Sequence, residues 1–265
     1  MTRSYTPSVP AKKLPPGDRP LKTLERILSK KGLGSRREAR SWIAAGRAAV
    51  NGETVIDPDR WVDLELDRVT FDGEPLPERD PVYLLLHKPV GYLTTYRDPD
   101  KRPTIYDLLP ETSGFVFSAG RLDYDTSGLL IVTSDADLAE RITNPSHEIT
   151  KTYRVRTVPR LEEDALERLR AGVELADGPT RPARVRRVGD AEGCELEIVL
   201  TEGRNRQVRR MVEAVGGEVT ELARTAIGSI AIGDLAPGST RELTREEVED
   251  VIPSGARDQG GRGIR

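Results

Sequence analysis

FSAGRLDYDTSGLLIVT, residues 117–133, joins a polar Gly-Arg-Leu-Asp tetrapeptide to a Thr-Ser-Gly step and an unbroken aliphatic run. Leu129, Leu130, Ile131 and Val132 read as a short buried strand, and Thr126, Ser127 and Gly128 as the tight turn leading into it. Asp123 then lies at a strand or loop edge beside buried surface. An ionised carboxylate in such a place needs a partner, because removing an unpaired charge from water is costly. Arg121 is two residues away, and the cationic stretch GRNRQVRRM, residues 203–211, could fold back onto it. The plainer alternative is that Asp123 or Asp125 caps the turn and Arg121 makes an ordinary ion pair.

On either side the chain alternates strands and helices. VYLLLHKPVGYLTT opens with an apolar strand from Val82 and breaks at Pro89 and Gly91, leaving His87 and Lys88 as polar residues at the strand end. TSDADLAERITNP reads as a helix capped by Ser134 or Asp135, with Leu138, Ala139 and Ile142 on its apolar face. KTYRVRTV, residues 151–158, alternates as a strand, in which Tyr153 is either a core aromatic or a stacking platform. CELEIVLTEG alternates Leu196, Ile198 and Leu200 and delivers a basic helix that begins near Asn205. Its arginines crowd a helix start, where partial positive charge already favours anions or carboxylates. This order of elements by itself supports an α+β class.

Three of these segments, GRLDYDTSGLLIVTSDADLAERITNP, KTYRV and EGRNRQVRRM, resemble the RsuA and RluB group of ribosomal RNA pseudouridine synthases, and the resemblance runs from about Leu21 to Leu243. It implies a mixed, mainly antiparallel sheet with helices around a central cleft. It implies Asp123 as the catalytic aspartate, nucleophile or base being left open, and Tyr153 stacked on the target base. By the same resemblance Arg209 is the ion-pair partner of Asp123. Arg121 fills the space of the flipped nucleotide, Lys151 meets phosphate, and Arg204 and Arg206 add RNA contacts. No cofactor and no metal are implied. The target expected by analogy is large-subunit RNA or its assembly intermediate. Small-subunit RNA is the alternative target, and a non-catalytic RNA-binding factor is the alternative function.

The N-terminal part reads as a separate module. LKTLERILSKKGLG places Leu21, Leu24, Ile27 and Leu28 on one helical face. Ser35 caps a second helix with Glu38 as its capping-box partner, and Asn51-Gly52 marks a hairpin. Arg36, Arg37, Arg40 and Arg47 crowd this stretch with only Glu38 close in sequence against them. Residues 21–69 resemble the alpha-L RNA-binding domain first seen in a small-subunit ribosomal protein, which implies docking on RNA phosphates. Residues 70–81, with their prolines and turn residues, are expected to be a linker and 82–252 the catalytic domain. Residues 1–20 and 253–265 are expected to be disordered.

At 265 residues the chain can hold a sizeable core and a small appended module. One cysteine, Cys194, precludes an internal disulfide, and two histidines do not make a typical zinc site. No apolar run reaches the length of a membrane span, and the N-terminus has no secretory pattern. A cytoplasmic protein without a membrane partner is expected, and the resemblance to the synthase group implies a monomer. The net charge of −3 is unevenly spread, so it weighs little against an RNA partner.

Overall fold

The computed structural model describes residues 21–112, 114–189 and 194–251. The two ends expected to be disordered, 1–20 and 253–265, lie outside the described residues. The chain divides into two units, residues 1–79 and 80–265.

In the smaller unit β1 (Lys22–Thr23) leads into α1 (Leu24–Lys30), followed by α2 (Arg36–Ala44), β2 (Ala48–Val50), β3 (Glu53–Val55), β4 (Trp61–Val62), β5 (Val69–Phe71) and β6 (Glu74–Pro75). The capping box that starts α2 is formed: Ser35 Oγ accepts from the Glu38 amide, and Glu38 Oε2 accepts from the Ser35 amide. Asn51 and Gly52 both take positive φ at the β2–β3 hairpin, as its two-residue turn demands. Leu24, Ile27, Leu28, Ala39 and Ile43 pack with Val50 of β2, Val62 of β4 and Val69 of β5. The expected linker begins too early. Residues 69–75 supply the last two strands of a four-stranded sheet ordered β3-β2-β5-β6. Pro75 is tolerated because β6 is an edge strand, where a missing amide leaves no ladder bond unmade.

The larger unit contains β7 (Tyr83–Lys88), β8 (Phe117–Ser118), β9 (Ser127–Thr133), α3 (Ala136–Thr143), β10 (Lys151–Val158), α4 (Glu163–Ala171), β11 (Glu174–Leu175) and β12 (Gly178–Pro179). It continues through β13 (Arg184–Arg187), β14 (Glu195–Leu200), α5 (Gln207–Ala214), β15 (Glu218–Ile227), β16 (Ile230–Ala231), β17 (Thr240–Glu242) and α6 (Arg245–Val251). Its described residues form one nine-stranded sheet with the central order β13-β14-β10-β15-β9-β7-β17, β16 beside β15 and β8 beside β9. Every pairing is antiparallel except β9 with β15.

The aliphatic run of β9 is explained by burial on both faces. Leu129 and Ile131 pack with Leu138 and Ile142 of α3 and Val248 of α6. Leu130 and Val132 pack on the other side with Leu84, Leu86 and Ile105. A strand covered on both faces reads as continuous rather than alternating.

The turn before β9 closes one step earlier than the sequence suggests. The Thr126 amide donates to the Asp123 carbonyl at 3.1 Å, and Ser127 and Gly128 already belong to the strand. Gly128 serves a different purpose there. It has φ of +108°, and a Cβ at this position would lie 2.2 Å from the Arg224 carbonyl oxygen and 2.5 Å from the Arg224 nitrogen. Only glycine lets β15 approach β9 this closely in parallel register, with Arg224 beside Gly128. Gly128→Ala is therefore expected to destabilise the protein by about 3 kcal/mol or more, read by urea or thermal unfolding. A loss under about 1 kcal/mol would contradict this close backbone contact.

Candidate active site

A cavity of about 390 Å³ opens in the larger unit, within the range of small-ligand sites. Asp123, Arg121, Lys151, Tyr153, Arg204 and Arg206 all line it, so six residues singled out from three separate motifs meet at one place. The fold explains their convergence. Lys151 and Tyr153 are on one face of β10, the 119–126 loop descends into β9, and the turn after β14 brings 203–206 across to them.

Asp123 sits on a loop whose carbonyl oxygens are fixed one after another. The Thr94 hydroxyl donates to the Leu122 carbonyl at 2.8 Å, the Gly91 amide to that of Tyr124 at 2.9 Å, and Arg209 Nη2 to that of Asp125 at 2.9 Å. Lys88 Nζ donates to the carbonyls of Asp123, at 3.0 Å, and of Thr126, at 2.8 Å, as well as to that of Pro89. Five consecutive carbonyls, from Leu122 to Thr126, are thus held by groups outside the loop. Such fastening limits the backbone movement of the loop that carries the carboxylate.

Lys88, the last residue of β7, is fully buried. Burial pushes its ammonium down to about 8, against the opposing pull of the Asp123 and Asp125 charges. The signal available in the sequence was the Lys-Pro-Val-Gly step at residues 88–91. A lysine followed at once by a backbone break can turn inward and donate to several carbonyls. His87 is a structural residue, with Nδ1 2.6 Å from the Leu235 carbonyl.

The ion pair at Asp123 differs from the expected one. Arg206 Nη1 lies 3.7 Å from Asp123 Oδ2 and 3.2 Å from Asp125 Oδ1. Arg209 instead pairs with Asp125, at 3.1 Å, and with the Val219 carbonyl. The reason is local. Arg206 precedes α5 with φ of +47°, a left-handed conformation that swings its side chain across the cavity. Arg209, in the first turn of the helix, is left beneath the loop. The carboxyl of Asp125 is raised by burial, but its bond to Arg206 and the charges of Arg209 and Arg206 outweigh this and hold it below the usual range.

The remaining cations divide by their surroundings. Arg121 is exposed, and no described residue bonds it. Arg204 is committed to the carbonyl of Gly178 at 2.9 Å and to Glu202, so it also fastens the β11–β12 hairpin. Lys151 is only 7% exposed, and burial, together with the Arg224 charge, pushes its ammonium down to about 8. Arg224, which sequence reading did not select, is buried and lines the same cavity.

In the smaller unit, tertiary partners come from far along the chain. Arg36 pairs with buried Glu25, Arg40 with Asp59, and Arg47 with Asp72 while lying over the Trp42 and Phe71 rings. An arginine in the first turn of α2 meets the partial positive charge of the helix start, a cost that Glu25 offsets within the fold itself. Arg37 stays exposed. Among the described residues no cluster of metal-binding side chains is found, and no helix is long and apolar enough to cross a membrane.

Comparison with known proteins finds relatives for both parts of the chain. Residues 82–214 match the family described as RNA pseudouridylate synthase, and residues 23–65 match the S4 domain. An uncharacterised RNA pseudouridine synthase of Aquifex aeolicus is 40% identical over 231 residues, covering 86% of this chain and 93% of the relative. The ribosomal large subunit pseudouridine synthase B of Bacillus subtilis is 35% identical, covering 86% and 95%. A crystal structure of a pseudouridylate synthase superposes with a TM-score of 0.63 at 32% identity, covering 87% of this chain and 99% of that one. On this match and these relatives, the chain belongs to the RNA pseudouridylate synthase family, with an S4 domain preceding the synthase domain.

Proposed function

We propose that this protein isomerises a uridine to pseudouridine in ribosomal RNA, with the large-subunit RNA as its target. The observation that carries the reading is the single carboxylate of the cavity, Asp123, among five lining cations, Arg121, Lys151, Arg204, Arg206 and Arg224. The balance suits a polyanionic substrate and leaves one group able to act at the ribose.

A uridine stacked in a helix cannot reach such a recessed carboxylate, so the base is flipped into the cavity. Arg121, exposed and planar, is placed to stack where the base has left, and the half-buried Tyr153 ring is placed against the uracil. At Asp123 the bond between N1 and C1′ breaks and its electron pair stays on the base. The carboxylate balances the sugar, either by bonding to C1′ or by taking a proton from C2′. After the uracil turns, C5 bonds to C1′ as the Asp123–C1′ bond breaks or as the abstracted proton returns to C2′; the C5 proton then leaves, and N1 takes up a proton. No atoms are gained or lost in the sum. Arg206 pairs with Asp123 in the resting site, and Arg209 holds the loop through Asp125.

The large-subunit target rests on the Bacillus subtilis relative, whose length is almost fully covered. Its working compartment is then the cytoplasm, where ribosomal RNA is assembled. The site is complete within one chain, which supports action as a monomer. The test is carbodiimide-dependent primer extension on unmodified large-subunit and small-subunit RNA after incubation without added cofactor. One new stop in the large-subunit RNA is expected. A stop confined to the small-subunit RNA would overturn the target, and no stop in either RNA or in assembly intermediates would overturn the reaction.

A further inference from the structure

Beyond Asp123 and Tyr153, the cavity holds two buried cations that the protein does not neutralise. Lys151 and Arg224 are 7% and 5% exposed. Arg224 Nε donates to the Leu129 carbonyl at 2.8 Å, while its Nη2 is buried with no partner. No described residue accepts a hydrogen bond from the Lys151 ammonium. The only carboxylate among the residues lining the cavity, Asp123, is engaged by Arg206. The Thr126 hydroxyl, 2% exposed and also lining the cavity, is a third buried polar group without a partner.

Two like charges held close together out of water, with donors left unused, are costly to the resting protein. Arrangements of this kind are useful when negative charge arrives during the reaction, because preorganised donors then need no rearrangement. Their placement fits the base rather than the RNA backbone. Lys151 is two residues from Tyr153 on the same strand face, and Arg224 is the cross-strand neighbour of Tyr153 on β15. Both are therefore beside the ring proposed to hold the uracil. They are recessed, whereas phosphates run along the solvent side of an RNA strand.

We infer that Lys151 and Arg224 bind the carbonyl oxygens of the flipped uracil and stabilise the negative charge that O2 and O4 acquire when the N1–C1′ bond breaks. The electron pair of that bond moves onto N1 and is delocalised to both oxygens, where the two cations receive it. No proton moves to or from the base at this step. As C5 bonds to C1′ and its proton leaves, N1 is protonated and the charge on the base is discharged. This assignment rests on the synthase reading given above.

The test compares single-turnover rates on RNA containing uridine with rates on the same RNA containing 5-fluorouridine, scored as loss of the original nucleoside after nuclease digestion. Fluorine withdraws electrons and makes the base a better leaving group, so charge stabilisation by the protein matters less. Lys151→Met is expected to slow loss of uridine by about 10²-fold or more, with RNA affinity unchanged, and to slow loss of 5-fluorouridine by at least about tenfold less. Lys151→Arg, which keeps a cation, is expected to recover part of the rate. Arg224→Gln should show the same selectivity for the base, and circular dichroism checks that each variant is folded.

Equal defects on both bases in folded Lys151→Met would overturn the inference in favour of a structural role. A weakened, less salt-dependent affinity with an unchanged bound rate would overturn it in favour of a phosphate contact. If wild-type protein consumed neither base in any ribosomal RNA, the synthase reading itself would fall. That outcome is distinct from an active wild type with unselective variants.

Discussion

Asp123→Asn is expected to lower the single-turnover rate of uridine isomerisation by about 10⁴-fold or more while leaving RNA affinity within about twofold. The carboxamide has nearly the shape of the carboxylate, and the loop that carries it is fastened through backbone carbonyls that the substitution does not touch. What is lost is the charge that balances the sugar when the N1–C1′ bond breaks. Affinity comes chiefly from cations meeting phosphate, and the exposed Arg121 and Arg37 remain in place. Asp125→Asn serves as the comparison. Its carboxylate pairs with Arg206 and Arg209, so the loss there comes from a looser loop and is expected to be nearer 10²-fold. Equal and complete loss in both variants would remove the distinction between the two aspartates.

Lys88→Met is expected to lower kcat by about 10²-fold, with little change in KM. Methionine fills the same channel but gives no bond to the carbonyls of Pro89, Asp123 and Thr126, so the Asp123 loop is held by fewer contacts. The same substitution should change the pH dependence of stability. Lys88 and Lys151 both titrate near 8 in the folded protein against 10.5 ordinarily. Between these values the unfolded chain binds more protons, so stability rises as pH climbs from about 8 toward 10. Above about 10 the buried Tyr106 phenol, pushed up to about 12 by burial, acts in the opposite sense, since the unfolded chain loses its proton first. Thermal unfolding across this range should show the rise in wild type and a smaller one in Lys88→Met, where only Lys151 contributes. An identical pH profile for both proteins, or unchanged kcat, would count against the buried-lysine clamp.

The parts of this fold that were legible in sequence are those fixed by neighbours. The apolar run 129–132, the Ser35 to Glu38 capping box and the Asn51-Gly52 turn each depend on residues within a few positions, and all formed as read. The resemblance to known synthases added the convergence of Asp123, Tyr153 and Lys151, which local periodicity could not supply.

The misread features depend on distant parts of the chain. Gly128 looked like a turn residue because the constraint on it comes from Arg224, nearly a hundred positions later. Residues 70–75 looked like linker because three-residue and two-residue strands leave almost no alternation to detect. The arginines of α2 looked unpaired because Glu25 and Asp59 lie 11 and 19 positions from their partners. Arg206 and Arg209 are both basic residues near one helix start, and only the left-handed backbone at Arg206 decides which of them reaches Asp123. Lys88 was passed over because burying a lysine is unfavourable unless several acceptors surround it, and those acceptors are main-chain carbonyls that carry no mark in the sequence.

If Asp123 drives exchange of the uracil linkage from N1 to C5 in large-subunit RNA, loss of the hydrogen at C5 reports that exchange directly. The measurement is tritium release from large-subunit RNA transcribed with uridine labelled at C5, using wild-type protein and Asp123→Asn without added cofactor. Release is expected to level off near one tritium per RNA molecule with wild type, and to stay at background with Asp123→Asn. Release that is absent with wild type, or equal for the two proteins, would contradict this role of Asp123.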